Sequence, residues 1–168
     1  MQINKLPHYD TSVNTTGCCP KFNPDGWDAQ ELHFRDKLFV IAETHSLMHV
    51  PVDMGRVFSR VQKHIENAGA FDPSDYIVLS RDTSSFAAEH LFSVPRAVPE
   101  EEMITLSGDY ITQVFEGPYK EAAHWHEEMA ERVRARGSEP QSIWFFYTTC
   151  PKCAKAYGQN YVVGVAET

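Results

Sequence analysis

The 168-residue sequence contains no apolar run near the roughly 20 residues that a helix needs to cross a bilayer. A membrane is therefore not an expected partner. Met1 to Pro7 lack the apolar core of a secretion signal, so the expected compartment is the cytoplasm. Basic residues are in short supply: 15 Lys and Arg stand against 23 Asp and Glu, for a net charge of -8. Nonspecific nucleic-acid binding needs the opposite balance, because phosphates are neutralised by Lys and Arg. Also missing are a Ser–His–Asp spacing, a glycine-rich phosphate loop and a paired-carboxylate motif. Cysteine is scarce as well, with four residues in the whole chain, gathered in two tight groups beside prolines.

What is present is the balance of an ordinary globular domain, 42% hydrophobic and 23% charged. Residues 1–33 are rich in Pro, Gly, Asn, Asp and Thr, lack periodicity, and read as an irregular arm. From 34 onward the pattern is that of a single α+β domain. Leu38–Ala42 reads as a buried strand that continues irregularly toward His49. Met54, Val57, Phe58, Val61, Ile65 and Ala68 then recur at helical spacing and stop at Gly69. Strands follow near 76–80 and 88–94. The same order returns after the Pro- and Glu-rich link 95–102: a strand over 104–115 bent around Gly108, a helix marked by Ala122, Trp125, Met129 and Val133, and strands over 142–149 and 161–166. Pro51 to Ile77 and Pro118 to Ile143 span 26 and 25 residues. This agreement predicts a tandem βαββ duplication, with units about 34–95 and 102–168. The expected architecture is an antiparallel sheet with two helices on one face.

The strand Ile143-Trp144-Phe145-Phe146-Tyr147 does not alternate, so both of its faces must be covered. The arm, a ligand pocket or a homodimer interface could serve. Together with Val114-Phe115-Glu116-Gly117-Pro118-Tyr119 and Trp125, this strand resembles the gyrase-inhibitor-like (GyrI-like) small-molecule-binding domains, over roughly 38–166. The resemblance implies a groove between the units that accepts a small organic ligand. Phe115, Tyr119, Trp125, Tyr147 and Tyr161 are its candidate lining residues. Many sensing members carry an acidic residue on this strand, whereas Phe145, Phe146 and Tyr147 are uncharged, which argues against cation binding and carboxylate-driven hydrolysis. Gly17-Cys18-Cys19-Pro20 and Cys150-Pro151-Lys152-Cys153-Ala154-Lys155, followed by Tyr157-Gly158, are similar to motifs of a narrower set of stand-alone prokaryotic proteins, some labelled hydrolase.

With two residues between them on one turn, Cys150 and Cys153 can ligate the same tetrahedral ion, and Cys18 with Cys19 would complete a structural zinc site of four thiolates. Successive side chains usually diverge, so Cys18 and Cys19 can share an ion only on a sharply turned backbone. Buried free thiols and a disulfide between the loops are the alternatives. No other cofactor is expected. Among the histidines, His124 and His126 point about 200° apart on a helix and cannot chelate together. His45 and His49 lie on an extended segment. His49, before the Pro51 turn, is the best acid–base candidate, set against a structural hydrogen-bonded role. Glu116 is a second candidate, set against a role at the start of the second helix. Three functions follow: a stand-alone small-molecule-binding protein, a hydrolase using the same groove, or a protein–protein inhibitor module with an acidic contact surface.

Overall fold

The apolar stretch after the arm forms strand β1 (Glu31–Leu47) in the computed structural model, which describes residues 2–168. β1 turns back through Met48 and His49 into β2 (Val50–Pro51). Both turn residues have positive φ, at 51° and 67°, the pairing a two-residue hairpin of primed type requires. Helix α1 (Met54–Asn67) follows, then β3 (Val78–Asp82), β4 (Ala87–Ser93) and β5 (Glu102–Glu116). A single 3₁₀ turn (Tyr119–Glu121) leads into α2 (Ala122–Ala135), and β6 (Ile143–Tyr147), α3 (Pro151–Tyr157) and β7 (Tyr161–Glu167) complete the chain.

The antiparallel sheet closes into a six-stranded barrel, a closure the strand pattern did not specify. Six strands run in the order β1-β4-β3-β6-β7-β5, and β5 pairs back onto β1. Every pairing in this ring is antiparallel. Closure depends on the length of two strands. β1, of 17 residues, pairs with β5 along Glu31–Ile41 and with β4 along Phe39–His45. β5, of 15 residues, divides likewise between β1 and β7. A bulge between Phe34 and Lys37, with Asp36 at φ 50°, bends β1 so that it can serve both neighbours.

Both long helices cover the outside of this barrel. α1 turns Val57, Val61 and Ile65 inward, and α2 buries Trp125, Met129 and Val133, the stripes their spacing predicts. Under α2, β7 carries Gly164, where an added Cβ would lie 2.7 Å from the Met129 sulfur and 3.1 Å from the Phe115 ring. Met129 is fully buried and has little room to retreat. Gly164→Ala should therefore destabilise the protein by about 1–3 kcal/mol through overpacking. An unchanged urea midpoint would show that the helix can shift outward.

The aromatic strand β6 is filled on both sides. Ile143 and Phe145 pack in the cluster under α2. Phe146, on the opposite face, meets the arm: Tyr9, Phe22 and Trp27 lie with ring centroids 6.1, 6.0 and 5.5 Å from it. Trp27 donates its indole N–H to the His8 carbonyl, and its own carbonyl accepts from Thr112 on β5. Of the three coverings open to this strand, the arm takes the inner face.

Candidate functional site

The arm is held at its middle by sulfur. Gly17, at φ 71°, turns the chain sharply before Cys18 and Cys19. Their sulfurs, which a straight backbone would send apart, lie 3.8 Å from each other. Across from them, Cys150 caps α3 and Cys153 sits one turn inside it, after Pro151. The second cysteine pair thus opens a helix, where a loop is expected from the sequence. All four sulfurs lie within 4.8 Å of one another, and all four are free thiols. Four thiolates at about 2.3 Å from one tetrahedral ion would stand about 3.8 Å apart. The cluster needs only a slight contraction to hold a metal ion.

The surroundings orient these thiols. Thr16 accepts from the Cys18 N–H at 3.2 Å and lies 3.3 Å from the Cys153 sulfur. Tyr157, on α3, donates to the Cys19 carbonyl at 2.7 Å. The hydrogen bond with Thr16 pulls the Cys153 thiol down to about 6, against the opposing effect of burial. Burial pushes the Cys19 thiol up. Thr16 was invisible as part of this site in the sequence, where it shows only as the end of an Asn14-Thr15-Thr16 glycosylation match.

The lining expected for a groove does not converge. Phe115 and Trp125 are both buried and stack on each other, centroids 5.4 Å apart and 19° from parallel, between α2 and the sheet. Tyr161 lies across the sheet, against Phe22 of the arm. Tyr119 and Tyr147 do meet, at 5.8 Å, and Tyr147 is exposed. Glu116 ends β5 at the surface, and Pro118 and Glu121 occupy the two capping positions that follow it.

Tyr147 belongs to the outer sheet face, where the other polar groups gather. The β registers set Ser80 opposite both His90 and Phe145, and Asp82 opposite Ala88 on the same face. His49 Nδ1 lies 2.8 Å from Asp82 Oδ2, and its backbone N–H donates to the Ser85 carbonyl. The Asp82 charge also reaches Tyr147, whose hydroxyl is pushed up to about 12, first by partial burial and then by neighbouring charge. His45 takes a different partner, Asp53, at 2.8 Å. Beneath the helices, His90 is 1% exposed and lies between Thr44 Oγ1, 2.8 Å from Nε2, and Ser80 Oγ, 2.7 Å from Nδ1. Burial depresses His90 to about 4, with the charges of Asp82 and Asp53 opposing. His90, Thr44 and Ser80 escape a reading of the sequence because they come from three strands.

No helix in the described residues is long and apolar enough to cross a membrane. No curated protein matches the sequence. A family described as bacterial hydrolase matches residues 9–168, which takes in most of the arm, both cysteine groups and the whole barrel. The chain belongs to this bacterial hydrolase family.

Proposed function

We propose that this protein hydrolyses a small organic molecule on the outer sheet face between α1 and α2, and that its cysteine cluster holds a structural zinc ion. The observation that carries the hydrolytic reading is His49 held at 2.8 Å by Asp82, a carboxylate whose charge also reaches the exposed Tyr147. A carboxylate on Nδ1 orients the ring and leaves Nε2 to exchange protons with water or a leaving group. Other histidines here also pair with carboxylates, as His33 does with Asp109 and His45 with Asp53. His49 differs in that its carboxylate partner also lies within electrostatic reach of the exposed Tyr147. The family's description as a hydrolase supports the same reading.

Zinc is favoured over other ions by the donor set, four sulfurs with no carboxylate or imidazole among them. A site closed by four thiolates has no open position for substrate, so its role is to fasten the arm and not to catalyse. Order along the ring supports the duplication as well. β1-β4-β3 in the first half matches β5-β7-β6 in the second, so that equivalent strands meet at both seams, β3 with β6 and β1 with β5. The groove between duplicated units then corresponds to the outer surface around the β3–β6 seam, where Ser80, Asp82, Phe145 and Tyr147 lie.

His49→Ala tests the hydrolytic reading. Loss of a general acid–base group should lower kcat by about 10²–10⁴-fold, with the circular dichroism spectrum and melting temperature unchanged, because His49 is 59% exposed. Unchanged turnover of a panel of aryl esters and amides would sink the assignment.

A further inference from the structure

The buried row on the outer face has the composition of a nucleophile, a base and an orienting group, and we propose that Ser80 is a catalytic nucleophile, His90 its general base and Thr44 the residue that positions His90. The inference rests on the hydrolytic reading and specifies its chemistry as acyl transfer from an ester with an apolar or aromatic acyl group. The geometry is that of a relay. Ser80 Oγ lies 2.7 Å from His90 Nδ1, and Thr44 Oγ1 lies 2.8 Å from Nε2. With the imidazole proton on Nε2 and donated to Thr44, Nδ1 is left to accept the Ser80 proton, the arrangement an activated serine requires. His90 is neutral at pH 7, and the charges of Asp82 and Asp53 favour the imidazolium that proton transfer creates, against the burial that opposes it.

The surroundings fit an apolar substrate. Phe58 of α1 packs edge-on against the His90 ring at 4.8 Å, and Phe145 stands opposite Ser80 across the strand pair. The β3–β6 seam that carries Ser80 is the thinnest in the barrel, with Ser80 and Phe145 its one register pair. The seam faces outward between the two helices, and that side is the route for substrate to Ser80, which is 7% exposed. Asp82, two residues along on the same face, carries His49 to the rim.

The reaction balances with water as its only co-reactant. Ser80 Oγ attacks the carbonyl carbon while its proton passes to His90 Nδ1. The bond from carbon to the alcohol oxygen breaks, and the same proton leaves on the alcohol. Water then attacks the acyl-serine and gives a proton to His90. The Ser80–acyl bond breaks, the acid departs, and the proton returns to Ser80 Oγ. Thr44 stays outside these transfers and holds the ring.

The test combines a fluorophosphonate, in which a serine oxygen displaces fluoride at phosphorus, with turnover of p-nitrophenyl butyrate by the full chain. Expected are a single adduct that peptide mass spectrometry places on Ser80, no adduct on Ser80→Ala, and turnover reduced at least 10³-fold in Ser80→Ala and in His90→Gln, both folded by circular dichroism. Thr44→Val should lower kcat with KM held, and Thr44→Ser should restore it. A wild-type protein that turns over the ester without an adduct on Ser80, or a Ser80→Ala variant that keeps its rate, would overturn the nucleophile while leaving the His49 reading standing. Neither turnover nor adduct in the wild type would overturn both.

Discussion

Cys153→Ser is expected to release one zinc ion per chain and to lower the melting temperature by about 10 °C. The thiol is almost fully buried, and its sulfur lies within 4.8 Å of each of the other three. Removing it opens the tetrahedron and leaves an ion three ligands and no rigid fourth. An ion that binds only the folded state, at a thousandfold excess over its Kd, stabilises by about 4 kcal/mol. A chain of this length shifts its midpoint by about 2–4 °C per kcal/mol, which yields the stated fall. Tyr9, Phe22 and Trp27 share one core with the barrel strands, so freeing the arm should weaken the whole fold. Tyr9, Phe22 and Trp27 should lose protection from hydrogen exchange before β3, β4 and β7 do. Cys18→Ser, at an exposed corner of the cluster, should behave in the same direction. Native mass spectrometry with and without chelator is the direct check. A protein that purifies without metal, titrates four thiols and melts at the same temperature in chelator would rule zinc out.

The second large effect is acid instability centred on His90. Its folded pKa of about 4 lies below the unfolded value of 6.5. The unfolded chain therefore binds a proton that the folded chain refuses throughout this interval. Stability is complete above pH 6.5 and is lost as pH falls toward 4, by roughly 1.4 kcal/mol per unit, or about 3 kcal/mol in all. No discount for solvent screening applies to a ring that is 1% exposed. The groups facing it are hydroxyls, Thr44 and Ser80, and the ring of Phe58. Asp82 and Asp53 act from farther off and are already engaged by His49 and His45. His90→Gln, which retains a donor and an acceptor, should flatten this limb. Urea unfolding of both proteins at pH 7 and pH 4.5 separates the His90 contribution from that of the carboxylates. Equal slopes for the two proteins would mean that the imidazole charges without penalty.

Much of the barrel was legible in one dimension. Val57, Val61 and Ile65 declare the inner stripe of α1 by their spacing, and Trp125, Met129 and Val133 do the same for α2. Gly69 and Gly137, both with positive φ, stop the two helices where glycine is the cheapest residue to do so. The cysteines announced themselves by grouping. α3 did not, because the seven residues from Pro151 to Tyr157 carry too little periodicity to separate a helix from a loop.

The aromatic side chains show why an inventory of residue types falls short of a site. Phe115, Trp125 and Tyr161 have the chemistry of pocket walls, yet the first two stack on each other and the third packs under the arm. Which ring meets a neighbour and which meets solvent depends on the partner strand, and periodicity carries no information about partners. The same holds for His49, whose value as an acid–base group depends on Asp82, 33 residues away.

By itself, then, the sequence determined the main strands and the two long helices, the face each of those helices buries, and the grouping of the four thiols. These are local properties, written in the alternation and spacing of neighbouring residues. Only the tertiary structure decided that β5 returns to β1 and closes the sheet, that the arm fills the inner face against Phe146, and that Thr44, His90 and Ser80, separated by 46 and 10 positions, form one hydrogen-bonded row. Those outcomes depend on lateral register between strands, which is set when the whole barrel packs and cannot be read from any one segment.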